Sequence, residues 1–149
     1  MSNLLSADIG GTTTRLELNQ FESGVLSNIK KSVYQSAEWK NIDTLLDDFL
    51  KDSPQCHSAC FAVAGPLKKT TNDILVNVTN LPWNISRLAI EKKYKFQQLS
   101  IINDFQAIAH SVDQLNENEI ITLQKGQPEK NSTRAFIGAG TGLGQAIAI

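Results

Sequence analysis

The fold is decided by residues 4–18, LLSADIGGTTTRLEL. The apolar start of this stretch predicts a strand at Leu4–Ile9, and alternating apolar and charged side chains predict a half-buried strand at Thr14–Leu18. The paired glycines between them predict a tight turn, because glycine adopts backbone conformations that other residues avoid. With a third strand predicted at Val25–Tyr34, the sequence begins as an antiparallel meander.

After the meander, the apolar pattern alternates between helix and strand periods. Helical spacing predicts a helix over Trp39–Leu50, and a continuous apolar run predicts a strand buried on both faces at Ser58–Ala64. Further strands are predicted at Ile74–Val78, Gln98–Ile102, Ile120–Leu123, Ala135–Ile137 and Gln145–Ile149, with helices from Asn84 or Ser86 through Tyr94 and over Phe105–Val112. This order predicts an α/β fold with a mixed five-stranded sheet and helices on both faces.

Composition excludes several classes of function. The chain has 149 residues, 41% hydrophobic content and a net charge of −1, so it has no general attraction to nucleic acid or to anionic membranes. Its N-terminus lacks the pattern of a signal peptide, and no apolar run approaches the roughly 18 residues that span a bilayer. A cytoplasmic protein is therefore expected. Cys56 and Cys60 are too few for a zinc site, and Cys60 is predicted to be a buried structural thiol.

The polar segment 124–133 is the best candidate for a linker. It separates a predicted small α/β domain at 1–123 from the start of a second domain at 134–149. The apolar residues 146–149 carry no polar tail, and natural chain ends are usually polar. A truncated chain is therefore expected.

The first candidate site is the glycine turn within residues 8–15. Successive backbone N–H groups in such a turn can bind an anion, and threonine hydroxyls add donors. The candidate phosphate-binding residues are Asp8, Gly10, Gly11, Thr12, Thr13 and Thr14. Asp8 at the strand end is also a candidate to hold Mg²⁺ through water. The alternative is an ordinary hairpin turn with threonines that favour β-structure.

A second glycine-rich segment spans residues 138–144, GAGTGLG. It matches neither the dinucleotide fingerprint nor the P-loop, which requires a following Lys-Ser or Lys-Thr pair. Strands predicted on both sides make it a hairpin loop, which is either another type of phosphate loop or a flexible turn. The candidate phosphate-binding residues are Gly138, Gly140, Thr141 and Gly142.

Polar residues at the ends of two predicted strands form the third candidate. Asn103 and Asp104 follow Ile101-Ile102, and the carboxyl end of a strand is where α/β sheets bind ligands. Asp104 is either a helix N-cap or a carboxylate base, and Asn103 is placed to bind a sugar hydroxyl. The loop with Asn80 and Trp83 either faces a sugar or combines turn chemistry with a core tryptophan.

Taken in order, these three motifs resemble the bacterial glucokinase family of the hexokinase/actin superfamily, along essentially all 149 residues. Residues 8–15 resemble its first phosphate loop, Asn103-Asp104-Phe105 its catalytic segment, and residues 138–144 its second phosphate loop. Thr13 departs from the family pattern, which usually has Asn or Lys at that place.

The resemblance implies a ribonuclease-H-like fold and a cytoplasmic enzyme of glycolysis that transfers phosphate from ATP, with Mg²⁺, to the 6-hydroxyl of glucose or a similar hexose. It implies that Asp104 is the catalytic base, that Asn103 and Asn80 help to bind the sugar, and that the two glycine loops bind the ATP phosphates. The family's further sugar-binding Glu and His and its adenosine pocket lie beyond position 149. The chain is therefore expected to be an N-terminal fragment that is poorly active alone.

Two other functions stay open on the sequence. A non-catalytic, sugar-responsive regulator of the ROK type would carry an N-terminal helix-turn-helix, for which a first strand at Leu4 leaves no room. A fragment that only binds sugar or phosphate weakly is the other alternative. The sequence leaves the oligomeric state open, and a homodimer is one of the assemblies it allows.

Overall fold

The computed structural model describes residues 2–127, 129–130, 132–139 and 143–149. The chain divides into two compact units, Met1–Asp104 and Phe105–Ile149. The predicted domains at 1–123 and 134–149, with a linker between them, stay predictions.

The N-terminal unit begins with the predicted meander. Strands β1 (Ser2–Ile9), β2 (Thr13–Glu22) and β3 (Val25–Gln35) pair antiparallel. The glycine turn sets a register in which Ile9 faces Thr14, so Leu16 and Leu18 of β2 are buried on the same side as the buried residues of β1. The antiparallel meander is therefore confirmed.

Helix α1 (Ile42–Leu50) follows a single 3-10 turn at Ser36–Glu38. The side chain of Asn41 caps it by accepting a hydrogen bond from the N–H of Thr44 at 2.9 Å. The helix begins later than its apolar pattern suggested, because Trp39 still belongs to the end of the 3-10 turn. The face that it buries has the spacing of an amphipathic helix and consists of Ile42, Leu45, Leu46 and Phe49.

Strand β4 (Ser58–Val63) returns to the sheet beside β1 and runs parallel to it. A separate antiparallel three-stranded sheet comes next, formed by β5 (Leu67–Lys69), β6 (Ile74–Asn77) and β7 (Asn84–Ser86). The sequence pattern had indicated β6 alone, because β5 and β7 have only three residues each and show no clear alternation.

Helix α2 (Arg87–Tyr94) is capped by Ser86, whose hydroxyl accepts a hydrogen bond from the N–H of Ala89. Lys93 and Tyr94 both bind the carboxylate of Asp47, which joins α2 to α1. Strand β8 (Gln98–Asn103) then pairs parallel with β4 and completes a mixed five-stranded sheet in the order β3-β2-β1-β4-β8.

Strand β4 is buried unevenly, which corrects one expectation. Ala59, Phe61 and Val63 are buried, but the residues between them are only half-buried. The continuous apolar run predicted burial on both faces, yet only one face of β4 packs fully into the core of the N-terminal unit. Small residues such as Cys60 and Ala62 are tolerated on either kind of face, so their presence did not distinguish the two cases.

The C-terminal unit contains α3 (Asp104–Ser111), whose first residue ends the N-terminal unit, and an antiparallel hairpin of β9 (Arg134–Ala139) and β10 (Leu143–Ala148). The predicted strand at Ile120–Leu123 is wrong. The segment has no secondary structure, and Ile121 and Leu123 are 85% and 95% exposed. A strand needs a neighbour for its backbone N–H and C=O groups, and none pairs with this segment among the described residues.

Candidate functional site

Three parallel strands end level with one another at one edge of the large sheet. Ile9 of β1 pairs with Val63 of β4, and Val63 pairs with Asn103 of β8. The chain therefore leaves the sheet at this edge after each of the three strands. Two strand spacings separate β1 from β8, or about 10 Å. The fold thus brings the first glycine turn and the Asn103-Asp104 pair to the same edge, where α/β sheets bind ligands.

The first glycine turn is closed by its own backbone. The N–H of Gly10 donates to the carbonyl oxygen of Thr13 at 3.0 Å. Among the described residues, the N–H groups of Gly11 and Thr12 have no hydrogen-bond partner. A Cβ atom at Gly11 would overlap the carbonyl oxygen of Thr79, so only glycine fits there. The turn thus offers two backbone donors for an anion.

Ser36 supports this turn from the interior, and sequence reasoning missed it. Its hydroxyl donates to the carbonyl oxygen of Gly10 at 2.8 Å, and its N–H donates to the carbonyl oxygen of Thr12 at 2.9 Å. The hydroxyl oxygens of Ser36 and Thr14 lie 2.9 Å apart, and both residues are fully buried. Because these contacts join positions 22 to 26 apart in the chain, no local motif reveals them.

Asp8 lies on the exposed side of β1, directly opposite Arg15 of β2. Its carboxylate accepts a hydrogen bond from the Arg15 guanidinium at 3.0 Å. No group of three or more His, Cys, Asp and Glu side chains that could hold a metal ion exists among the described residues. One carboxylate suits Mg²⁺ that arrives bound to a phosphate, since Mg²⁺ keeps several waters and often takes only one or two carboxylates.

Asn80 lies beside the first glycine turn. It adopts a left-handed backbone conformation with φ of 63°, which asparagine tolerates better than most residues. The position of a Cβ at Gly11 would be 3.3 Å from the Cβ of Asn80. The N–H of Thr79 donates to the carbonyl oxygen of Ala64 at 2.8 Å, which ties the Asn80 loop to the end of β4.

Trp83 settles the alternative that the sequence left open for this loop. It is 1% exposed, and its indole N–H donates to the carbonyl oxygen of Trp39 at 3.2 Å. Trp83 is therefore a core residue, and of the two residues only Asn80 is exposed on the loop.

Asn103 is the last residue of β8, and Asp104 is the first residue of α3. Both are half-buried. The predicted helix start at this place is confirmed. The roles of Asp104 as a base and of Asn103 as a sugar ligand stay predictions.

The second glycine segment lies in the β9–β10 hairpin, where Gly138 pairs directly with Gly144. The ring of Phe105 lies against this glycine pair, because a Cβ at Gly138 would be 2.7 Å from the Cζ atom of Phe105, and one at Gly144 would overlap the ring. The predicted hairpin is confirmed. Gly140, Thr141 and Gly142 lie outside the described residues.

The two cysteine thiols of the chain are unreactive. Burial raises the pKa of both the Cys56 and the Cys60 thiol, so both stay protonated and unreactive near neutral pH. Cys56 is buried and Cys60 is half-buried.

None of the helices that the structure describes is long and apolar enough to cross a membrane.

The family model of glucokinase matches residues 5–149. This chain belongs to the glucokinase family. The relationship predicted from the three motifs is thereby confirmed.

Known glucokinases resemble the chain over its whole length. It is 37% identical to a glucokinase of Nostoc sp., an alignment that covers 100% of this chain and 44% of that protein. It is 32% identical to a glucokinase of Colwellia psychrerythraea, with 95% of this chain and 42% of that protein covered. The chain therefore spans less than half the length of these relatives.

Solved glucokinases share the fold. The crystal structure of a glucokinase from an Antarctic psychrotroph has a TM-score of 0.82 and 33% identity, covering 99% of this chain and 46% of that one. A glucokinase from Balamuthia mandrillaris, solved in complex with glucose, has a TM-score of 0.60 at 21% identity, with 98% of this chain and 44% of that chain covered; this likeness concerns the fold alone. The predicted ribonuclease-H-like α/β fold with a mixed five-stranded sheet is confirmed.

Proposed function

We propose that this chain supplies the phosphate turn and the catalytic carboxylate of an enzyme that phosphorylates glucose at its 6-hydroxyl with ATP. The register of the three parallel strands is the observation that supports the proposal most. It brings the Gly10–Thr13 turn and Asp104 to one sheet edge, about 10 Å apart across two strands. The site that binds the phosphoryl donor and the base that activates the acceptor hydroxyl must lie near each other, with the acceptor between them.

The phosphate end of the proposed site is the first glycine turn. The N–H groups of Gly11 and Thr12, with the side chains of Thr12 and Thr13, donate to the phosphoryl oxygens of ATP. Asp8 is the carboxylate that would hold, through water, the Mg²⁺ that accompanies ATP, and the ion would supply positive charge to the phosphates. Gly138, Gly140, Thr141 and Gly142 form a second phosphate-binding segment in this proposal.

The sugar end of the proposed site begins at Asp104. Its carboxylate accepts the proton of the 6-hydroxyl as the hydroxyl oxygen attacks the γ-phosphate, and ADP leaves. A positioned base of this kind typically contributes about 10²–10⁴-fold to the rate. Asn103, next to the base, and Asn80, beside the glycine turn, bind sugar hydroxyls. A cytoplasmic location and a homodimer belong to the same proposal.

The test measures ADP release in a coupled assay, with the protein as its gene encodes it, so that any sequence flanking this chain is present. We expect ADP release to require glucose and the product to be oxidised by a dehydrogenase specific for glucose 6-phosphate. Asp104→Asn should lower kcat by about 10²–10⁴-fold. The KM values for ATP and glucose should change much less, since the amide keeps the shape of the carboxylate.

Asp113→Asn is the matched control, because Asp113 is an exposed carboxylate just after the same helix and pairs with Arg134. It should retain the wild-type rate. Wild-type protein that releases no ADP in response to glucose, or an Asp104→Asn variant at full rate, would refute the proposal.

A further inference from the structure

The Gly10–Gly11 peptide is the part of the first glycine turn that most needs an external support. Two successive glycines leave its plane free to rotate in an isolated chain. A trans peptide is planar, with its C=O and N–H pointing in opposite directions. Whatever fixes the carbonyl of Gly10 therefore also fixes the direction of the Gly11 N–H, one of the two donors assigned to phosphate.

Ser36 provides that support. Its hydroxyl donates to the carbonyl oxygen of Gly10 at 2.8 Å, inside the fold. The Gly11 N–H must then point away from Ser36. A second bond, from the N–H of Ser36 to the carbonyl oxygen of Thr12 at 2.9 Å, holds the other side of the turn. One buried residue thus holds two carbonyls that flank both unpaired N–H groups.

Thr14 completes the arrangement. A serine hydroxyl has a single proton, and Ser36 gives it to the carbonyl oxygen of Gly10. The 2.9 Å contact between the two hydroxyl oxygens is therefore a bond that Thr14 donates to Ser36. Both side chains are fully buried, so water does not replace either bond. The hydrogen bonds run in one direction, from Thr14 to Ser36 to Gly10.

We propose that Ser36 is a positioning residue for ATP, which aims the Gly11 N–H at the phosphates, and that Thr14 acts through Ser36. The inference rests on the proposed function. It gives Thr14 a role different from the direct phosphate contact predicted from the sequence. It also assigns a role to Ser36, which lies outside every glycine motif.

Steady-state kinetics of Ser36→Ala test the inference, because alanine keeps the backbone bond to Thr12 and removes only the hydroxyl. We expect the KM for ATP to rise about two- to tenfold, the range that corresponds to one lost hydrogen bond, with little change in the KM for glucose. Asn41→Ala is the control, since it removes a helix cap without touching the turn. It should lower the melting temperature and leave both KM values unchanged. An equal rise of both KM values in Ser36→Ala would overturn the inference.

A double-mutant cycle tests whether Thr14 acts through Ser36. Thr14→Val removes the hydroxyl at nearly constant volume, and Thr14→Ser restores a hydroxyl. If Thr14 acts only through Ser36, adding Thr14→Val to Ser36→Ala should raise the KM for ATP no further. The KM for ATP of Thr14→Ser should return most of the way from the raised value of Thr14→Val to that of the wild type. Fully additive effects would show that Thr14 acts independently of Ser36 and would overturn this part.

Hydrogen exchange separates failure of this inference from failure of the proposed function. Ser36→Ala should speed amide exchange in peptides that cover residues 9–14, and Asn41→Ala should not. Should the wild-type protein release no ADP in response to glucose, the proposed function fails while the exchange result still stands. Unchanged exchange at the turn in Ser36→Ala would overturn the positioning role itself.

Discussion

The two compact units differ most in what they bury. Every fully buried apolar side chain of the described residues lies between Leu5 and Ile101, in the N-terminal unit. Helix α3 and the β9–β10 hairpin have none, and their residues alternate between exposed and half-buried. The C-terminal unit relies on local contacts such as the Phe105 ring on its glycine pair and the Arg134–Asp113 ion pair.

This difference bears on the two glycine segments. The first turn lies on a closed core and is fixed by buried hydrogen bonds from Ser36. The second lies in a hairpin whose Ile137, Leu143 and Ile147 are 72%, 64% and 70% exposed. Core contacts are what make a region resist local opening. The first turn is therefore expected to resist local opening more than the strands β9 and β10 do.

The largest expected effect comes from the same substitution made in both units. Leu46→Ala removes a side chain that is 0% exposed and should lower the free energy of unfolding of the 149-residue chain by about 2–5 kcal/mol. Leu143→Ala removes one that is 64% exposed and should change it by less than about 0.5 kcal/mol. Urea denaturation measures both changes, with far-UV circular dichroism as the readout for the whole chain.

Tryptophan fluorescence adds a readout for one unit, because Trp39 and Trp83 both belong to the N-terminal unit. Leu46→Ala should shift its transition and Leu143→Ala should not. Similar losses in the two variants would show that Leu143 is buried in solution, and the comparison between the units would fail.

A pair of glycine substitutions gives the next largest effect. At Gly11 the added methyl group meets a backbone carbonyl oxygen, which cannot rotate away as a side chain can, so Gly11→Ala should cost about 1–3 kcal/mol of unfolding free energy. At Gly126, in the C-terminal unit, no atom of the described residues lies within 4 Å of the added carbon. Gly126→Ala should be neutral or stabilise the chain by up to about 1 kcal/mol.

Thermal denaturation of the two alanine variants checks this prediction. Equal melting temperatures for both would mean that the Gly11 turn can move away from Thr79, so that the turn is looser than its contacts indicate.

Much of the N-terminal unit follows from local sequence. An apolar run predicted β1, alternation predicted β2, helical spacing predicted α1, and Ser86 was one of two predicted caps of α2. These features depend on neighbours within a few positions, which a pattern records directly. The three glycine and aspartate motifs were also visible, since glycine turns and strand ends are local features.

The features that the sequence missed depend on distant partners. Ser36 meets Gly10 across 26 positions, and the face of β4 that stays half-buried is decided by what packs on the sheet. The error at Ile120–Leu123 has the same origin, since β-branched residues favour a strand only where another strand is available to pair. Tertiary context is what a single sequence records least.

The smallest expected effect concerns two aspartates, one in each unit. Burial alone would raise the pKa of Asp73. Hydrogen bonds from the Ser86 hydroxyl and from the N–H groups of Leu88 and Ile74, with the nearby charge of Arg87, outweigh burial and lower it below its ordinary value of 3.8. In the C-terminal unit, the hydrogen bond from Arg134 lowers the pKa of the exposed Asp113.

A carboxylate with a lowered pKa stabilises the folded chain above its ordinary pKa, and this contribution is lost as the pH falls through the folded value. Asp73→Asn should therefore lower the free energy of unfolding at neutral pH, by about 1 kcal/mol or less because solvent screens part of the charge. The difference from wild type should shrink as the pH falls below 3.8. Urea denaturation across this pH range measures it.

Asp113→Asn is the counterpart in the C-terminal unit, and salt distinguishes the two. Its effect at neutral pH should be smaller and should vanish at high salt, because ions screen a pair that is open to solvent. The effect of Asp73→Asn should persist at high salt, since hydrogen bonds donated by the N–H groups of Leu88 and Ile74 hold that carboxylate. If salt abolished both effects equally, Asp73 would act as a surface charge, and the contrast between a supported and an exposed carboxylate would not hold.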